Sequence, residues 1–166
     1  MVGCLSCKQD QDDNIIKPYL SIPVSNNYVL RSEQDANIVA FFKEHIQSFS
    51  IIKHLCIFDH GVDDYHCCLV INSMDEFREA LLCLSVELPE IDFSKYTLII
   101  GDQTLPDSRS ISKQDITIMP DKLVLNIEAI VPYGQSVMFL PSIRIYWGIY
   151  PKLPDKDIEI NLILNK

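Results

Sequence analysis

The stretch Ser73–Gly101, SMDEFREALLCLSVELPEIDFSKYTLIIG, decides how the rest of the chain is read. Ser73 followed by Glu76 forms a capping box, in which hydroxyl and carboxylate each satisfy a backbone N–H that the first helical turn leaves without a partner. Asp75 and Glu76 also suit the positive end of the helix dipole. Phe77, Ala80, Leu81 and Leu84 recur at helical spacing, so one apolar stripe faces a core. Pro89 ends any continuation of the helix. Thr97-Leu98-Ile99-Ile100, closed by Gly101, is short and β-branched and reads as a buried strand. Asp92 in the connector is expected to bond its own turn, as aspartate does in Asx-turns.

Upstream, Tyr19, Leu20, Ile22 and Val24 suit an edge strand beside Pro18 and Pro23. Ser32, three residues before Asp35, marks the start of a helix over about 33–47, with Val39, Phe42, Ile46 and Phe49 on one face. Two β-like runs, Ile51–Phe58 and Tyr65–Ile71, flank a polar loop around Gly61 and read as a hairpin. Beyond Gly101, Ile111–Met119, a Pro120-Asp121 turn and an alternating run from Leu123 to Val131 form a meander. After Pro132-Tyr133-Gly134, Ile143, Ile145, Trp147 and Ile149 share one face of a strand, and Arg144, Tyr146 and Tyr150 share the other. The last strand turns Ile158, Ile160, Leu162 and Leu164 inward. Such period-two patterning predicts antiparallel strands with one face on the core and one in water. The expected class is α+β: a mainly antiparallel sheet or sandwich with two packed helices.

With 166 residues, 48% hydrophobic and 22% charged, the chain is sized for one domain that buries about two-thirds of its unfolded surface. A formal net charge of −9 argues against nucleic acid and against electrostatic docking on anionic lipid. No apolar run approaches the roughly 20 residues needed to span a bilayer.

The run "INSMDEFREALL…LPEIDFSKYTLIIG" resembles the small lipoprotein domains grouped with the C-terminal domain of PrcB, a subunit of a bacterial surface protease complex. The resemblance extends over about Cys67 to Val131. It implies a strand and helix leading through a DFSKY-like connector into a strand meander, and a protein partner, a protease. The chain departs from that pattern after the strand, where Asp102-Gln103-Thr104-Leu105-Pro106-Asp107-Ser108 replaces a glycine-rich segment.

The first thirteen residues, MVGCLSCKQDQDD, resemble the end of a bacterial lipoprotein signal, with a small residue before a cysteine that becomes lipid-modified. Cys7 is the expected lipidation site and Cys4 the alternative. The acidic tract after Cys7 resembles the export tract of Bacteroidetes-type surface lipoproteins. No charged and apolar signal regions precede it, so this reading requires further sequence upstream of Met1; the alternative is a disordered cytosolic N-terminus with two chance cysteines. Residues 1–17 are accordingly read as a lipoprotein-type N-terminus and disordered tether, and 18–166 as a single α+β domain. The location implied is the bacterial cell envelope, with membrane attachment through the lipid anchor alone.

Catalytic parts are missing: no GxSxG elbow, HExxH helix, P-loop or dinucleotide-binding glycine fingerprint occurs. We expect no enzyme and no cofactor. The loop from Asp59 to His66 gathers Asp, His and Cys side chains, and a small hydrolase or metal-dependent enzyme built on it is the alternative, although its spacing matches no zinc or calcium pattern. Cys56, Cys67, Cys68 and Cys83 sit among apolar residues as small hydrophobes. A disulfide from Cys56 to Cys67 or Cys68 is open in an oxidising compartment. Arg144, Tyr146 and Tyr150, if exposed together, form the aromatic-plus-arginine patch that protein interfaces favour; the alternative is cross-strand packing.

Overall fold

The computed structural model describes residues 14–22, 30–46, 66–82 and 84–165. Within them the chain is α+β, with two helices and eight strands in two mostly antiparallel sheets. The elements are β1 (Ile15–Ile16), β2 (Leu20–Ile22), α1 (Glu33–His45), β3 (His66–Ile71), α2 (Met74–Ala80), β4 (Tyr96–Leu105), β5 (Ser110–Ile118), β6 (Leu123–Ile130), β7 (Ser142–Pro151) and β8 (Ile158–Leu164). One sheet has the order β2-β7-β4-β3 and the other β1-β5-β6-β8.

Three layers result. Ile38, Val39, Phe42 and Ile46 of the α1 segment, with Phe77 and Leu81 of the α2 segment, cover one face of the first sheet, where they meet Leu98, Ile100, Trp147 and Ile149. The opposite face of that sheet, carrying Ile99, Leu105, Tyr146 and Tyr150, packs against Ile116, Leu123, Leu125 and Ile127 of the second. The first sheet is therefore buried on both sides. This corrects the expectation that each strand turns one face to water. The alternating faces of β7 are as read from the sequence, but both face cores.

Local chemistry explains the elements. Ser73 Oγ accepts the Glu76 N–H at 3.1 Å, while the Glu76 carboxylate accepts the Asn72 N–H at 2.6 Å. The capping box thus closes one residue further back than its usual form. The helix stops at Ala80, shorter than its apolar stripe, and Leu81 and Leu84 reach the core from the turn that follows. Asp92 Oδ1 accepts the Ser94 N–H at 3.2 Å, as the Asx-turn reading requires. Hydrogen bonds from Lys95 and then Ser94 hold the Asp92 carboxyl down at about 2.

Gly101 does not close β4. Its backbone lies between Cys68 and Tyr146, and the strand runs on to Leu105 because ladders on both sides continue. Gly148, across β7, has a packing requirement of its own: a Cβ there would sit 2.7 Å from Tyr150 Cε2 and 3.2 Å from Gln114 Oε1.

Two further features differ from expectation. Ile15 and Ile16 pair with Thr117 and Ile116, so residues assigned to the tether complete a sheet edge, and the domain begins before residue 18. The β-branched pair finds an open ladder beside β5. Also, β8 runs parallel to β6, because the chain crosses to the other sheet as β7 before returning.

Helix α1 begins on a buried carboxylate. Asp35, 5% exposed, accepts the Tyr19 hydroxyl and the Arg31 N–H, both at 2.8 Å, while Ser32 Oγ caps the Asp35 N–H at 3.1 Å. Burial pushes its carboxyl pKa up, but the hydrogen bonds from Tyr19, Arg31 and Ser32 more than offset this, and the net shift is downward. A depressed folded pKa stabilises above the unfolded value and loses that contribution as pH falls through the folded one. Asp35→Asn should cost about 1 kcal/mol at neutral pH. It should also flatten the loss of stability below about pH 4. Urea midpoints measured against pH for both proteins check this.

Candidate interaction surface

The connection between β4 and β5 is Pro106-Asp107-Ser108-Arg109, and it sits at the end of the sandwich where β4, β6 and β8 finish and β5 and β7 begin. Asp107 is 4% exposed. Its carboxylate accepts the Arg109 N–H at 3.0 Å and pairs with Arg109 Nη1 at 2.6 Å. Arg109 Nε reaches the Asn165 carbonyl just after β8, at 3.3 Å. The Ser142 hydroxyl donates to the Asp107 carbonyl at 2.7 Å, and Arg144 Nε donates to the Arg109 carbonyl at 3.0 Å. This polar frame ties both sheets together at one end.

The loop between β6 and β7 is fastened to that frame. Ser108 donates its N–H to the Met138 carbonyl, and its hydroxyl accepts the Met138 N–H, both at 3.0 Å. Gln135 N–H bonds the Pro132 carbonyl at 3.0 Å around Gly134, whose φ of +78° is the left-handed conformation that favours glycine. The base of the loop is therefore polar and pinned, while its side chains are apolar and outside. Tyr133 is 106% exposed, Phe139 87%, Leu140 63% and Met138 59%. Ile130 and Ile143, at the two strand ends that bound the loop, are also exposed. A run of large apolar side chains held in water by its own backbone is a candidate contact surface.

The structure places the sequence-derived candidates differently. Tyr146 and Tyr150 are completely buried between the sheets, which overturns the reading of Arg144, Tyr146 and Tyr150 as one exposed patch. The cause is the second sheet, which covers the face they share. The Tyr150 hydroxyl donates to Gln114 Oε1 at 2.9 Å, and Gln114 Nε2 donates to the Trp147 carbonyl at 2.7 Å, so the phenol has an internal role. Burial above all pushes both phenol pKa values up, with the neighbouring Cys68 adding to it. Arg144 is half-buried, and desolvation lowers its guanidinium pKa; its Nε is spent on the frame.

The Cys68 side chain packs against the inter-sheet core, beside the Tyr146 phenol. Cys4, Cys7, Cys56, Cys83, residues 59–65 of the Asp59–His66 loop and the side chains of His66 and Cys67 lie outside the described residues; the His66 backbone opens β3. Among the described residues, no group of three or more His, Cys, Asp or Glu side chains could hold a metal ion, and no helix is long and apolar enough to cross a membrane.

Sequence reasoning passed over the loop. The available signal was Met138-Phe139-Leu140 lying between Pro132 and Pro141, an apolar run in a segment where neither strand nor helix periodicity accounts for it. Fold and surface together define a helix-backed β-sandwich that presents a pinned apolar loop. No protein-family model, curated protein or solved structure matches the chain.

Proposed function

We propose that this chain is a non-enzymatic protein-binding module that acts as an envelope-anchored accessory lipoprotein, and that the loop 132–140 is where its partner sits. One observation carries the reading: Tyr133, Met138, Phe139 and Leu140 are held exposed on a hydrogen-bonded base. Exposed aromatic and Met side chains on a hydrogen-bonded backbone suit a partner's pocket, because the backbone that carries them is ordered before binding. The resemblance of residues 67–131 to the PrcB-type domain supports a protease as that partner, which the module would stabilise or restrain. Attachment through Cys7, or alternatively Cys4, would keep the domain at the membrane surface without spanning it.

The test compares two baits, the natural chain and Phe139→Ser/Leu140→Ser, crosslinked on intact cells and captured in parallel. The natural chain should recover a stoichiometric partner, and the double variant should bind it about thirtyfold more weakly, roughly 2 kcal/mol. Because both side chains lie in water, the variant's own stability should stay within about 0.5 kcal/mol. Equal recovery by both baits would remove the loop from the interface. An intact mass of the same bait reads the lipid on its cysteine.

A further inference from the structure

From a different part of the molecule, we infer that the chain pairs with a second copy of itself through β8, in antiparallel register centred on Asn161. Among the described residues the sheet edges are β1, β2, β3 and β8; β1 has two residues and β2 three, a common way of blunting an edge, and β3 has six and follows directly on residues outside the description. Strand β8 is different. It runs for seven residues, Ile158-Glu159-Ile160-Asn161-Leu162-Ile163-Leu164, in unbroken register on β6, with no proline, lysine or bulge.

Its outward hydrogen-bonding groups can be assigned. The Leu123 N–H bonds the Asp157 carbonyl at 2.8 Å, and the Asn165 N–H bonds the Ala129 carbonyl at 2.9 Å. Odd-numbered residues therefore use their backbone groups on β6. In a parallel ladder the alternate residues point theirs the other way, so Ile158, Ile160, Leu162 and Leu164 present both N–H and C=O at an edge that no strand of the described residues covers. These four are symmetric about Asn161. A second copy laid antiparallel sets 158 opposite 164 and 160 opposite 162, and every outward donor finds an acceptor.

The side chains agree with that register. On the inner face Ile158 meets Leu164 and Ile160 meets Leu162, which joins the two inter-sheet cores and covers Leu164, 43% exposed in the single chain. On the outer face Glu159 falls opposite Ile163, not opposite a second glutamate. Asn161 falls opposite itself at the two-fold axis. There it ends an amide relay in which Asn161 Nδ2 donates to Asn126 Oδ1, and Asn126 Nδ2 donates to Asp115 Oδ1, each at 2.9 Å. That leaves its own Oδ1 available to accept from the partner's amide. The net charge of −9 on each copy opposes association, so screening by salt should favour the pair.

Sedimentation equilibrium of the full chain across a concentration series, at low and high salt, tests the inference. The expected result is a mass of twice 19.0 kDa, with the paired fraction rising with salt. Two variants at one position then test the register. Ile163→Glu sets a carboxylate opposite the other copy's Glu159 and should shift the midpoint concentration at least tenfold upward. Ile163→Lys sets an ammonium there and should leave pairing intact or tighten it. Far-UV circular dichroism establishes that both variants fold, and the lysine variant alone decides the matter should the glutamate variant not fold. A single-chain mass throughout, or equal loss of pairing in both variants, would overturn the inference.

Discussion

Phe42→Ala is expected to destabilise the fold by about 3–5 kcal/mol, a large share of the 5–15 kcal/mol typical of a domain. Phe42 is completely buried and lies face to face with Trp147, ring centroids 4.1 Å apart at 16°. It also touches Phe41 edge-on and stacks at 6.2 Å on Phe77 of α2. One side chain thus links both helices to β7. Truncation removes the transferred apolar surface and leaves a cavity walled by rings that the sheet holds in place, so little collapse can refill it. Urea denaturation followed by tryptophan fluorescence reads the effect directly, because Trp147 is the chain's single tryptophan. A loss below 1 kcal/mol would mean that the helix layer contributes little to the folded state.

Asp107→Ala should cost a similar amount, about 3–5 kcal/mol, for a different reason. The side chains of Asp107 and Arg109 are 6% and 16% exposed, so removing the carboxylate leaves a guanidinium with most of its water already gone. The backbone N–H of Arg109 loses its acceptor as well. The consequence reaches the proposed function, because Ser108 between these two residues pins Met138. Partner binding should weaken along with stability, and the amides of 131–141 should exchange faster than those of β4 and β7. Asp107→Asn, which preserves an acceptor for the Arg109 N–H, should lie between the two. Denaturation midpoints and hydrogen exchange on the three proteins check the order.

The sequence was legible where one physical requirement dominated. Ser73, Glu76 and Asp92 announce their hydrogen bonds through short-range spacing, and the structure makes those bonds close to where they were expected. The alternation of Leu123, Leu125, Ile127 and Ala129 announces a one-sided face, and all four are buried. Legibility failed where the answer depended on a second layer. Period two in β7 separates Trp147 from Tyr146 correctly but does not say that each side has its own cover; tyrosine and arginine suit both an interface and a core with internal partners. The β-branched pair Ile15–Ile16 was too short to show periodicity, and Gly101 looked like a terminator only until its neighbours on both sides were known. The exposed loop carries no period at all, so only the fold reveals that Phe139 and Leu140 stand exposed.

Amide hydrogen exchange on the chain alone and with its captured partner tests the central claim most directly. The account predicts slowed exchange in 131–141 and in the adjoining 106–109 connection, with β4 and β7 unchanged because they are already protected on both faces. Protection confined to other surfaces, with 131–141 exchanging at its free rate in the complex, would contradict it.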